Sequence, residues 1–227
     1  AAGGRGQRAG RRGVGQRAGR RDGLTPVRSR PSVGAMELGD TIDARRALRS
    51  LAADPVPDAL LGEVVERLRL APSCMNNQPW RFVFVRSPGP LAALKASLSK
   101  GNAWAQAAPM IVAVLSRRDL DCLTTSADRP VREYWLFDTG MATAYLQLLL
   151  TEAGLVAHPI AGYTESVAAA AVGAPDGMTV VTLVIVGRRA GEPSPVLAEK
   201  QRAAESARPA RRSAAAIAFR ARYTPAG

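Results

Sequence analysis

The chain has 227 residues, 47% of them hydrophobic, which suits one domain with a sizeable core and an attached tail. Its formal net charge is +12, but residues 1–35 hold nine arginines against one acid, Asp22, so only +4 is spread over the remaining 192 residues. No apolar run reaches the roughly 20 residues of a membrane span, two cysteines (Cys74 and Cys122) are too few for a disulfide framework, and one histidine, His158, excludes His-based metal centres.

Residues 1–35 lack Phe, Tyr, Trp, Ile and Met, and GQRAGRR occurs at Gly6–Arg12 and again at Gly15–Arg21. Such a stretch cannot bury enough apolar surface to offset its ordering entropy, so a disordered extension is expected. It has no apolar core of a secretory signal, and its repeats and glycines argue against an amphipathic transit helix. The favoured reading places the true start at Met36. An RNA- or DNA-binding tail, or a tail with no specific role, is the alternative; otherwise no nucleic-acid partner, no membrane and a cytoplasmic location are expected.

From Thr41 the pattern becomes that of a folded domain, 36–227. TIDARRALRSL predicts a helix capped by Asp40 or Thr41, with Ile42 and Leu48 inward. Arg45, Arg46 and Arg49 would project together beside its start, which suits an anion; a solvated basic face is the alternative. A second helix is predicted from Asp58 to Leu70, with Leu60, Leu61, Val64, Val65 and Leu68 as core.

Between that helix and a strand at Arg81–Arg86 lies APSCMNNQPWRF, residues 71–82. Ser73, Asn76, Asn77 and Gln78 crowd donors and acceptors together, Pro72 and Pro79 stiffen the path, and Trp80 anchors it. Such a loop suits a flat ligand edged with heteroatoms. A helix follows at Leu91–Leu98. The strand Met110–Leu115 is apolar throughout and therefore buried on both faces. Arg117–Pro130 reads as an irregular surface loop. Glu133–Gly154 predicts a long helix that is apolar on nearly every side and needs covering all round, with Asp138 inside it in need of a partner. AHPIAGY, Ala157–Tyr163, reads as a second loop where Gly162 permits close approach to a ligand. A short helix at Glu165–Val172 and a buried strand at Val180–Val186 complete the predicted elements.

The order of RRALR, the Asn/Gln loop and HPIAGY resembles the FMN-dependent nitroreductase family. The resemblance runs from Thr41 to about Ile217. It implies an α+β fold: an α-β-α sandwich with a mixed sheet flanked by helices, assembled as a homodimer with FMN at the interface. Arg45 would grip the FMN phosphate with Arg46 beside it, and Arg49 would reach the ribityl chain or pyrimidine edge. Pro72, Ser73, Cys74 and Asn76 would line the flavin, those of one subunit serving the neighbour's. Asn102 would bond its polar edge. Pro159, Ile160, Ala161 and Gly162 would lie near N5, where the Gly162 N–H donates. Arg211 would return to the phosphate, with Arg188 and Arg189 as competitors.

The implied activity is ping-pong hydride transfer from NADH or NADPH, as a transient visitor, through FMN to a nitroaromatic, quinone or related small acceptor. No catalytic side chain and no metal is required, and the absence of GxGxxG argues against a tightly held dinucleotide. Alternatives are a dehydrogenase or dehalogenase of the same fold acting on one metabolite, and a non-catalytic flavin- or nucleic-acid-binding protein. Ala47, Tyr145, Ala161, Ser213 and Ala214 depart from the family's usual residues.

Overall fold

The computed structural model describes residues 36–126 and 129–224; the expected tail, 1–35, lies outside the described residues. Four strands make the central sheet: β1 (Arg81–Val85), β2 (Met110–Ser116), β5 (Val156–Ile160) and β6 (Thr179–Gly187), in the order β1-β2-β6-β5. The expected sheet was mixed. Every pairing among the described residues is antiparallel, β1 with β2, β2 with β6 and β6 with β5.

The two inner strands are apolar along their length because both of their faces are covered. On one side Met110, Val112 and Val114 of β2, with Val184 and Val186 of β6, meet Val64 and Leu68 of helix α2 (Asp58–Leu68) and Leu146 and Leu150 of helix α4 (Tyr134–Glu152). On the other, Ile111, Ala113, Leu183 and Ile185 pack with Leu91 and Leu94 of α3 (Pro88–Lys95), Ala168 of α5 (Glu165–Val172) and Trp104. This alternation of side chains is the period-two rule of a strand, and it produces the α-β-α sandwich. Truncating a fully buried residue such as Leu146 or Ile185 to alanine would cost about 2–5 kcal/mol.

Several local expectations change. Helix α1 spans only Leu38–Ala44 and ends before the arginines; it buries Thr41 and leaves Ile42 exposed. In α2, Pro57 and not Asp58 precedes the first turn, and Val65 faces solvent. Arg117–Pro130 is not wholly irregular: a single turn at Arg118–Leu120 leads to β3 (Leu123–Ser126), which pairs with β4 (Arg129–Glu133). AHPIAGY is mostly strand, since β5 takes Val156–Ile160 and only Ala161 onward is loop. The chain buries Trp135, Asp138, Thr139, Ala142, Leu146 and Leu150 of α4, but leaves Leu136, Phe137 and Tyr145 exposed on it. Gly154 ends that helix as anticipated, in the left-handed conformation at φ 76°.

Candidate functional site

The arginines of RRALR lie on an extended segment, and its course is set by partners far away in sequence. Leu51 bridges Arg189, and the Ala52 N–H donates to the Arg188 carbonyl at 2.9 Å, which fastens the segment beyond the end of β6. Helix α6 (Glu199–Ser206) approaches from the C-terminal region. Its Glu205 is 3% exposed and accepts the Arg49 N–H at 2.7 Å and the Ser50 N–H at 3.3 Å. Arg46 Nη2 donates to the carbonyls of Ala204 and Glu205, at 2.6 and 3.3 Å, and so caps the last turn of α6.

The result is a basket of about 190 Å³ lined by Arg45, Arg46, Ala47, Arg49, Ala204, Arg208, Pro209 and Arg211. The guanidiniums do not have equal freedom. Arg46 is spent on α6, and Arg208 donates to the carbonyls of Asp43 and Arg45. Burial presses the pKa of Arg45 below its ordinary value, and the neighbouring charges of Arg208 and Arg211 add to the effect. Like charges gathered around a half-buried cation favour a bound anion, which would relieve both the repulsion and the desolvation.

A stack of rings supports this basket. The guanidinium carbon of Arg49 lies 5.9 Å from the centroid of Trp104, a cation–π contact. Trp104 in turn stacks on His158 at 4.7 Å between centroids. His158 Nδ1 is 3.0 Å from the Leu48 carbonyl, which can only accept, so Nδ1 carries the proton. Burial pushes the His158 pKa down to about 4; the Leu48 contact opposes this, Arg49 and Arg45 add to it, and Glu205 opposes it. His158 is thus a neutral, packed histidine that helps hold the arginine segment. The buried indole Nε1 of Trp104 has no hydrogen-bond partner among the described residues.

Asn102 and Gly162 meet next to Trp104. Asn102 Nδ2 donates to the Gly162 carbonyl at 2.9 Å, and the Ser99 N–H donates to the same oxygen at 3.0 Å. A Cβ on Gly162 would stand 2.5 Å from Asn102 Nδ2 and 2.6 Å from Ser99 Oγ. The glycine is therefore demanded by close approach and not by an unusual φ. Pro159 and Ile160 precede it within β5, and Ala161 is exposed at the strand's end.

The Asn/Gln loop is a third group. Its backbone is strained: Met75, Asn76 and Gln78 have φ of 51°, 59° and 49°. Only asparagine among these tolerates that region comfortably, and such strain persists where surrounding contacts over-determine the backbone. Here they do. The Cys74 N–H donates to Asp138 Oδ2 at 2.6 Å, Ser73 Oγ accepts the Gln78 N–H at 2.9 Å, and Cys74 is bonded to Cys122. Asp138, 1% exposed, thereby finds the partner its burial required. Two cysteines are too few for a disulfide framework, as expected, but they do make this one bond.

Arg45, Arg46, Arg49 and Arg211 are thus brought together, and Asn102 joins Gly162 beside them through the Trp104 segment. Pro72, Ser73, Cys74 and Asn76 form a separate loop, tied to α4 through the Cys74 N–H and Asp138. Arg188 and Arg189 do not line the basket. Glu205, Arg208 and Trp104 are site residues that sequence reasoning missed. Arg208 and Arg211 sit in one run, ARPARR, which was the available signal.

Comparison with known proteins gives consistent matches. The family model described as "Nitroreductase family" matches residues 42–101 and 89–188. An NADH dehydrogenase of Thermus thermophilus is 29% identical over 179 residues, covering 66% of this chain and 86% of that protein. A Stutzerimonas stutzeri protein, whose name joins NADH dehydrogenase to NAD(P)H nitroreductase, is 35% identical over 122 residues, covering 48% of this chain and 62% of its own. Among solved structures, an oxidoreductase containing FMN superposes with a TM-score of 0.69 at 26% identity, covering 87% of this chain and 97% of that one. No helix among the described residues is long and apolar enough to cross a membrane.

Proposed function

The chain belongs to the nitroreductase family, and on that premise we propose that it is an FMN-dependent oxidoreductase that draws hydride from NADH or NADPH and passes two electrons to a small acceptor such as a nitroaromatic or a quinone. The observation that carries this reading is the arginine basket, where Arg45 is half-buried among cations and stands ready for a phosphate. The residues fit the cofactor on grounds of their own chemistry. Arg45, Arg49 and Arg211 match a dianionic phosphate, and the missing side chain at Gly162 lets Asn102 and Ser99 close on its peptide and fix it.

FMN, when bound, supplies a two-electron carrier that is reduced and reoxidised at N5. The protein's part is to bind, orient and tune it. Arg45 and Arg211 would hold the phosphate; Arg49, set by Glu205 and Trp104, would present positive charge toward the sugar-like chain or the ring's carbonyl edge. Asn102 fixes the Gly162 carbonyl, and the N–H on the other side of that glycine would serve the flavin's N5 edge. The protein supplies no acid or base to the hydride step, and neutral, buried His158 has a supporting role. The exposed Leu136, Phe137 and Tyr145 on α4 fit a homodimer in which the 72–76 loop serves the partner's flavin.

The test is the visible spectrum of protein expressed from Met36 and extensively desalted. A flavin spectrum near one FMN per chain, bleached by NADH or NADPH, supports the reading, and a screen of nitro and quinone acceptors then follows. A colourless protein that also fails to take up added FMN overturns it.

A further inference from the structure

The bond between Cys74 and Cys122 joins positions 48 apart in sequence and sits in a cluster that a static crosslink does not need. Both cysteines are partly exposed and neither is buried in the core. Around them stand Asn77, Asp121 and Asp138. Asp121, 9% exposed, accepts the Cys122 N–H at 2.7 Å and Asn77 Nδ2 at 3.2 Å through Oδ1, while its buried Oδ2 has no partner among the described residues. Asn77 Nδ2 also lies 3.4 Å from Cys122 Sγ. The Cys74 and Cys122 sulfurs and a carboxylate oxygen of Asp121 all lie within 4.8 Å of one another.

The two acids explain each other. Burial, and then the side chain and charge of Asp121, push the Asp138 carboxyl above its ordinary value against the opposing Cys74 N–H. A proton taken up by Asp138 gives the orphaned Asp121 oxygen a donor beside the disulfide. An accessible disulfide, a hydrogen-bond donor on one of its sulfurs and a buried proton holder are together the parts that thiol–disulfide exchange uses.

We infer that Cys74 and Cys122 form a redox-active couple which exchanges reversibly with small thiols and dithiols. A thiolate of an external dithiol attacks Cys74 Sγ. The sulfur–sulfur bond breaks and its electron pair leaves on Cys122 Sγ, where the Asn77 amide receives it and the Asp138–Asp121 pair donates the proton. The second thiol of the reductant then attacks its own sulfur in the mixed disulfide and releases Cys74. The proton shed when the first thiol ionised and the one shed by the second thiol restore the acid pair and neutralise Cys74. The protein disulfide is reduced to two thiols and the dithiol is oxidised to its disulfide, with no other reactant. Reduction also releases the covalent tie between the 71–80 loop and the segment before β3.

The test is native thiol labelling of the full chain with its cofactor as purified, equilibrated with a chelator in graded ratios of reduced and oxidised dithiothreitol. Mass spectrometry counts the labels. Both cysteines are expected to pass together from unlabelled to labelled without denaturant, and back when the ratio is reversed. The C122S variant is expected to capture glutathione on Cys74 as a stable mixed disulfide. D138N, whose amide oxygen still accepts the Cys74 N–H, is expected to slow reduction at least about tenfold at fixed dithiol; D121N serves the same purpose if D138N does not fold. Labelling only after denaturation makes the bond a fixed staple and overturns the proposal. Labelling in fully oxidised buffer removes the bond itself and does the same. Unchanged reduction rates in both acid variants overturn the proton's role. These readouts count thiols, and repeating them on protein stripped of FMN separates the couple from flavin binding at the 72–76 loop.

Discussion

Glu205 is the residue whose removal most directly tests how the arginine basket is built. It is buried at 3% exposure and accepts two backbone donors, from Arg49 at 2.7 Å and Ser50 at 3.3 Å. Glu205→Ala orphans both. A buried, unsatisfied N–H costs about 1–3 kcal/mol, and the half-buried Arg49 can recruit water, so about 2–4 kcal/mol is expected in total. For a domain of this size that lowers the melting temperature by about 5–12 °C. The segment carrying Arg45 and Arg49 loosens with it, and retention of FMN should weaken about tenfold or more. Glu205→Gln separates geometry from charge. It keeps one acceptor and removes a negative charge from among the arginines, so it should cost about 1 kcal/mol and hold FMN at least as well as the parent. Circular dichroism melts of the cofactor-free protein read the first effect, and fluorescence of released FMN the second. If Glu205→Ala melts within about 1 °C of the parent and keeps its flavin, the packing of Leu48 and Leu51 alone holds the segment, and the clamp argument is wrong.

Three further outcomes are expected. Arg45→Ala or Arg211→Ala should weaken FMN retention about tenfold, and more steeply at high salt, whereas Arg189→Ala should leave it unchanged; equilibrium dialysis distinguishes them. Gly162→Ala should break the Asn102–Gly162 contact, costing about 1–2 kcal/mol by urea melts and about tenfold in FMN affinity, because its Cβ would stand 2.5 Å from Asn102 Nδ2. For His158, the unfolded imidazole takes up a proton near its ordinary 6.5 and the folded one only near 4, so its contribution is complete above pH 6.5 and drains as pH falls toward 4. The loss approaches roughly 3 kcal/mol at its limit, and His158→Gln should flatten that part of the stability profile when urea melts at pH 7, 5.5 and 4.5 are compared.

The sandwich was legible in the sequence because it rests on local pattern. MIVAVLS and TLVIV are too apolar for any position but an inner strand, and the stripe of Val64 and Leu68 marks a helix face. Gly162 was legible as a place of close approach, although its loop proved mostly strand and the groups that approach are Asn102 and Ser99. The course of the arginines was not. RRALR has good helix formers, yet it is extended, because Arg188, Ala190 and Glu205 supply the hydrogen bonds a helix would have made internally. Those partners lie more than a hundred residues away and carry no local mark. The pairing of Cys74 with Cys122 was equally hidden, since two cysteines 48 apart say nothing of distance until β1 and β2 pair antiparallel and set Arg81 opposite Leu115. Asp138 was legible as a problem, an acid in an apolar helix, but not its solution.

Pro159 carries a consequence of another kind. It lies within β5, an outer strand of the four-stranded sheet. An outer strand normally offers an unbroken row of donors and acceptors, on which a second molecule can grow edge to edge. Proline has no N–H to contribute, so an incoming strand meets a missing rung, and the sheet ends where the chain ends it. A chain with alanine at this position would keep its fold and gain a template for self-association. The residue is a safeguard against aggregation, written into the same five positions that lead to the site.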